Sequence, residues 1–279
     1  MGIYRSFLYS IFILCASTWA QAKPATRLVT IGSAVSETVC ALGHCKKIVA
    51  VDTTSQYPEE LVPKATLGYY RNLSAEGILS QRPDVIIAAD DIKPPQVVAQ
   101  LKKTGITVHF IDNTKTLKGA LDRINKLGDL LKEKARAKKL VSGIELQMKE
   151  LKTKVEKSGK KPKVLFIYAR GPNQLLVAGR ETAASTMIEL SGGILAFPEF
   201  EGYKPLTQEG LIKANPDIVV VTKKGAERID GLKGLKSLPG MKLTQAGRNE
   251  KFVTIDDVLF LGFGPRIGEA AETLYKAIR

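Results

Sequence analysis

Three consecutive side chains, Tyr69-Tyr70-Arg71, carry the most unusual chemistry in this chain. A tyrosine phenolate is a hard oxygen donor and serves as an axial ligand to ferric haem iron. A free phenol ionises near ~10, and an adjacent cation favours the anion. In an extended loop, residues two apart point the same way. Tyr69 and Arg71 then share a face, with Arg71 donating to the Tyr69 oxygen and Tyr70 pointing elsewhere. The plain alternative is that both rings pack against their own lobe.

Other reactive groups are sparse. The chain has two histidines. His44 reads as a solvated loop residue and His109 as a satisfied core residue inside a strand. No His/Asp/Glu cluster offers the three or four ligands that a bare divalent metal takes. No Ser-His-Asp set, P-loop or pair of catalytic carboxylates is legible, so the reading is a binding protein rather than an enzyme. Cys40 and Cys45 stand five apart. In an exported chain that spacing fits a disulfide closed around a turn. The rival is a redox pair, but its spacing is Cys-x4-Cys rather than Cys-x2-Cys.

The elements that must position these residues show an internal repeat. Leu73 to Ala88 can be laid on Leu206 to Val221 without a gap, and eleven of the sixteen positions are identical or near-substitutes. Glu76/Glu209, Gly77/Gly210, Pro83/Pro216 and Asp84/Asp217 are among the identities. A repeat this far apart indicates two similar lobes rather than a solenoid. Around each copy, short apolar strands alternate with helices, which argues for parallel sheets flanked by helices. Between them lies a Pro-free stretch rich in helix formers, with Leu127, Leu130, Leu131, Ala135, Leu140, Ile144 and Leu151 at helical spacing and a break near Glu133.

The expected architecture is therefore α/β, with two Rossmann-like lobes joined by a long rigid helix and a ligand cleft between them. The divisions are 1–22 signal peptide, 23–114 N-terminal lobe, 115–158 helical connector and 159–279 C-terminal lobe. A stiff connector implies little closure on binding. Two ordinary surface helices of a single domain are the alternative for the middle stretch.

Arg5, the apolar run Phe7 to Ala16 and Ala20-Gln21-Ala22 make up a cleavable export signal. Its apolar run is too short to span a bilayer. Leu14 before Cys15 is too bulky for a lipid-attachment site, so a free periplasmic protein is expected. Loss of residues 1–22 removes one Arg and no acid, leaving +13 of the net +14. That charge admits nucleic acid, an anionic membrane or an anionic ligand as partner. Nucleic acid is set aside, because no basic patch is interleaved with aromatics and the chain is exported.

The segment Gly68-Tyr69-Tyr70-Arg71-Asn72-Leu73-Ser74-Ala75-Glu76-Gly77-Ile78-Leu79 resembles the haem-pocket segment of periplasmic haem-binding proteins that serve bacterial ABC haem importers. Leu261-Gly262-Phe263-Gly264-Pro265-Arg266, Val49-Ala50-Val51-Asp52-Thr53-Thr54, Gly179-Arg180-Glu181-Thr182 and Gly202-Tyr203-Lys204-Pro205-Leu206 extend the likeness over nearly the whole mature chain. The lobe repeat is shared with the wider class that binds vitamin B12 and ferric siderophores. The alternative ligand is therefore a corrinoid or a ferric siderophore.

The resemblance implies a haem carrier with Tyr69 as axial iron ligand and Arg71 as its hydrogen-bonding partner. Tyr70, Arg170, Tyr203, Lys204 and Arg266 are expected around the haem. Arg170 stands where some relatives place a histidine that gives a second contact to haem or to a stacked second haem; here it could instead meet a propionate, and the resemblance leaves one or two haems open. Arg180 is a further cation that could face the cleft. The resemblance also makes Glu76 and Glu209 acidic knobs, one per lobe, that dock a paired ABC permease in the inner membrane. An outer-membrane haem receptor is the upstream donor it implies, and a monomer the expected state. The local alternative for Glu76 and Glu209 is a capping box, with Glu at the third helical position reaching back to the cap.

Overall fold

The strand β1 (Leu28–Ile31) is buried along its whole length, as a central parallel strand with both faces covered must be. It opens the computed structural model, which describes residues 26–279. The export signal and the mature start at Lys23 lie outside the described residues. Around β1 are α1 (Ser33–Val39), β2 (Ile48–Val51), β3 (Ala65–Thr66), α2 (Ala75–Leu79), β4 (Val85–Ala89), α3 (Pro95–Lys102) and β5 (Thr107–Ile111). The five strands form one sheet in the order β3-β2-β1-β4-β5, parallel throughout.

Two helices follow, α4 (Leu117–Leu130) and α5 (Lys134–Ser158). The break between them is a positive-φ turn at Lys132. Gly128 lets them pack closely, since a Cβ there would lie 2.3 Å from the Ala137 Cβ. The long helix α5 turns Ala137, Ile144, Met148 and Leu151 inward and its Lys and Glu residues outward.

The second lobe comprises β6 (Lys163–Gly171), β7 (Gln174–Ala178), α6 (Ala183–Leu190), β8 (Ile194–Leu195), β9 (Tyr203–Pro205) and α7 (Gln208–Ala214). It continues with β10 (Ile218–Thr222), α8 (Lys223–Glu227), α9 (Gly231–Lys236), α10 (Gln245–Arg248), β11 (Phe252–Ile255), α11 (Asp257–Gly262) and α12 (Ile267–Ala277). Its strand order is β11-β10-β6-β7-β9, with β8 also beside β6. The sheet is mixed rather than wholly parallel, which corrects the expectation. Strand β7 runs antiparallel to both β6 and β9. Only Pro172 and Asn173 separate β6 from β7, and so short a link permits a hairpin but no crossover.

The repeat is one local device used twice. Ser74 caps α2 by accepting from the Gly77 N–H, and Thr207 caps α7 by accepting from Gly210. Asp84 and Asp217 open the strands that follow: their carboxylates take the backbone N–H of Arg27 at 3.0 Å and of Lys163 at 2.7 Å. Those bonds fix β4 beside β1 and β10 beside β6. The capping box does not form. Glu76 and Glu209 stand at the second helical position, and Gly occupies the third in both copies. Both glutamates are exposed.

One continuous cluster of buried residues joins the lobes. It runs from the first sheet through Ile124, Leu127, Ile144 and Leu151 to Phe166, Val220, Phe260 and Leu274. A second cluster fills the outer face of the second sheet, under α7 and α9.

Cys40 and Cys45 are disulfide-bonded across a turn in which Gly43 has φ 92, a conformation that glycine adopts without steric cost. His44 beside them is not solvated as expected. Its side chain is 12% exposed, with Nε2 3.2 Å from Glu133 Oε1. His109 is half-buried on the edge strand β5 rather than in the core, and burial near Lys126 lowers its pKa.

Candidate ligand cleft

The carboxyl ends of β1 and β2 open into a cleft between the lobes. The wall is built on Asp52, which is buried and fully engaged. Its Oδ1 accepts from the Gly32 N–H at 2.7 Å and the Ser55 hydroxyl at 2.7 Å, while Oδ2 accepts from the Thr54 N–H at 2.9 Å. That hub brings the loop after β1 against the loop after β2. Gly32 has φ 100, and a Cβ there would sit 3.0 Å from the Ala89 side chain.

The cleft encloses about 690 Å³ and takes side chains from both lobes. From the first lobe come Thr53, Gln56, Tyr69, Tyr70, Arg71 and Lys115; from the second come Tyr168, Arg170, Tyr203, Lys224 and Arg228. Val258, Leu261 and Gly262 of α11 also line it.

Tyr69 and Tyr70 both reach this space, in an edge-to-face pair with ring centroids 5.0 Å apart. Tyr69 is 44% exposed. Tyr70 is more deeply set, and burial, aided by Asp91, pushes its phenol well above the usual range. Arg71 lies over the Tyr70 ring, 5.2 Å from its centroid. Its other neighbour is Asp91, at 3.7 Å. The turn explains this. The Asn72 N–H donates to the Tyr69 carbonyl at 2.7 Å, so the segment is bent and the alternation of an extended loop does not apply.

The facing wall is aromatic. Tyr168 and Tyr203 pack at 5.6 Å, and Arg170 lies over Tyr168 at 5.3 Å. Burial pushes the Tyr203 phenol up to about 12. It therefore remains a neutral hydroxyl.

Two expected contacts fall elsewhere. Lys204 alternates with Tyr203 along β9, points away from the cleft, and lies over Phe200 at 4.8 Å. Arg266 is engaged by Glu37, at 2.9 and 3.1 Å, and stacks on Tyr57 at 3.4 Å. Arg180 is likewise held outside, by the Pro198 carbonyl and Glu201. Tyr69, Tyr70, Arg71, Arg170 and Tyr203 are the expected residues that the fold does bring together.

Sequence reasoning missed Lys115, Lys224, Arg228 and Gln56. Lys115 donates to the Asn113 side chain at 2.9 Å and to the Gly262 carbonyl of the other lobe at 3.1 Å. Burial lowers its pKa to about 8. Arg123, fully buried, makes a similar tie to the Phe263 carbonyl at 2.8 Å. The signal available for Arg123 was a cation on the apolar face of α4, among Ala120, Ile124 and Leu127; Lys115, between two threonines just before α4, carried none.

Comparison with known proteins matches this geometry. The solved structure of the periplasmic heme-binding protein RhuT from Roseiflexus sp. RS-1 superposes with a TM-score of 0.87 at 34% identity, covering 91% of this chain and 100% of that one. The periplasmic heme-binding protein BhuT, solved with two hemes, gives 0.85 at 35% identity, covering 90% and 97%. Among curated relatives, the vitamin B12-binding protein of Vibrio cholerae serotype O1 is 23% identical over 224 residues, 80% of each chain. Residues 28–259 match the family described as periplasmic binding protein. With two α/β lobes, a cleft between them and a match over most of its length, the chain belongs to the periplasmic binding protein family.

Proposed function

We propose that this protein binds ferric haem in the interlobe cleft through Tyr69 and hands it to an ABC permease in the inner membrane. The observation that carries the reading is the division of labour between the two phenols. Tyr70 packs beneath Arg71 and burial holds its phenol neutral, whereas Tyr69 is 44% exposed and opens to the cleft. A ferric iron needs an accessible phenol oxygen with room beyond it for the porphyrin, and Tyr69 supplies that. Arg71 lines the same cleft and places a positive charge near the ligand site. Tyr168 and Tyr203 offer an apolar cover for the other haem face. The likeness to heme-binding proteins at 34 and 35% identity supports the ligand.

The remaining roles follow from the same reading. Glu76 and Glu209 stand just after cleft-lining segments, on equivalent helices of the two lobes, and suit a two-fold permease surface. An outer-membrane receptor supplies the haem, and the protein acts as a periplasmic monomer that is not lipid-anchored. Its work is binding rather than turnover. Lys204 and Arg266 are not assigned to haem, because Phe200 and Glu37 hold them elsewhere.

Hemin titration tests the assignment. Wild-type protein is expected to develop a high-spin ferric Soret spectrum at one hemin per chain, and Tyr69→Ala to lose it, while Tyr70→Phe retains it. Unchanged affinity in Tyr69→Ala would sink the ligand assignment. Saturation by cyanocobalamin in place of hemin would favour the corrinoid reading.

A further inference from the structure

Arg71 is drawn from two sides. Its guanidinium lies over the Tyr70 ring, and its Nη2 stands 3.7 Å from Asp91 Oδ2. Tyr69, two residues away, faces the open cleft. A guanidinium held by a carboxylate has fewer N–H donors to give a phenolate, because both anions compete for the same fork.

Asp91 is itself held from behind. Its Oδ1 accepts from Asn113 Nδ2 at 2.9 Å, and the Asn113 N–H donates to Asp90 Oδ1 at 3.1 Å. Asn113 Oδ1 in turn accepts from Lys115 Nζ at 2.9 Å, the same ammonium that donates to the Gly262 carbonyl of the second lobe. The main chain fixes the near side. The Lys93 N–H donates to the Tyr70 carbonyl at 3.0 Å, and the Leu73 N–H donates to the Lys93 carbonyl at 3.1 Å. The segment after β4 therefore carries the carboxylate and also braces the turn that presents Tyr69. One Asp91 oxygen is engaged by this scaffold, and the other faces Arg71.

We propose that Asp91 is a positioning residue for the haem site. By holding Arg71 it limits the hydrogen bonding that the guanidinium gives the Tyr69 phenolate, and keeps that oxygen a strong donor to ferric iron. This deepens the haem reading and rests on it. Hydrogen bonds to an axial ligand tune the metal it holds. A phenolate relieved of competing N–H donors puts more charge on iron and favours the ferric over the ferrous state.

The test uses hemin-loaded wild type, Asp91→Asn, Asp91→Glu, Arg71→Gln and the Asp91→Asn/Arg71→Gln double variant. Spectroelectrochemical titration gives the midpoint potential of the haem, and resonance Raman gives the iron–phenolate stretch. Asp91→Asn keeps an acceptor for Asn113 but loses the charge. It is expected to shift the potential upward and the stretch to lower frequency, with Asp91→Glu returning both towards wild type. In the Arg71→Gln background the same substitution should leave the stretch unmoved, because its effect passes through Arg71. An equal potential shift with and without Arg71 would show Asp91 acting as a bare charge and overturn the proposal. An unmoved stretch in Asp91→Asn would overturn it as well, whether or not Arg71→Gln loads hemin. Wild-type protein with no saturable hemin binding would remove the haem reading and this one with it, and is distinguishable from both.

Discussion

Arg266 and Glu37 stand 229 residues apart in the chain, yet form a two-pronged ion pair that joins the C-terminal segment to α1 of the first lobe. Arg266 is 19% and Glu37 5% exposed. Burial pushes the Glu37 carboxyl upward more than Arg266 draws it down, so the charge is carried at a desolvation cost. Glu37→Ala should therefore destabilise the protein by about 3 kcal/mol, because it strands a partly buried guanidinium. The Glu37→Met/Arg266→Met double variant should recover part of that loss. Urea unfolding of the three proteins measures both, and a double variant no more stable than Glu37→Ala would contradict the desolvation account.

Lys115 gives a pH signature. Its folded pKa is about 8 against 10.5 for an unperturbed lysine. Between those values the folded protein has shed the proton that the unfolded chain still holds. Stability from this group therefore rises with pH from about 8 towards 10.5. The unfolding free energy of wild type, taken relative to Lys115→Met, should increase between pH 8 and pH 10. A flat difference across that interval would show that Lys115 is not desolvated at the lobe junction.

The acidic knobs separate docking from cargo binding. Glu76→Lys with Glu209→Lys should leave hemin titrations unchanged while cutting uptake at least roughly tenfold in proteoliposomes carrying the cognate permease. Unimpaired uptake would return both residues to the role of solvated helix charges.

The bridge between Cys40 and Cys45 closes a short loop. Replacing both by Ser should cost about 2 kcal/mol on the loop-entropy relation, read from guanidinium unfolding. No residue of that loop lines the cleft, so hemin affinity should stay at the wild-type value. A loss of binding without loss of stability would bring back the redox reading.

What was legible in the sequence was local. The alternation of strands and helices, the matched Ser/Thr caps and Pro-Asp strand starts, the helical break near Glu133 and the Tyr69-Tyr70-Arg71 segment all depend on neighbouring residues. The hairpin of β6 and β7 was signalled by Gly171-Pro172 but its antiparallel consequence was not drawn. Lys224, Arg228 and Asp257 escaped notice because the helices from α8 to α11 are four to six residues long, too short for a periodic pattern. The pairing of Arg71 with Tyr70 depended on a turn closed by a main-chain bond at Asn72. The Glu37–Arg266 pair could not be read at all, since nothing local in either segment names a partner 229 residues away.

Two cationic ties between the lobes, those of Lys115 and Arg123, end on the carbonyls of Gly262 and Phe263. A main-chain acceptor survives substitution of its side chain. Half of each tie is thus insulated from mutational drift, and the lining of the cleft can diverge towards new cargo while the junction beneath it keeps its anchor points.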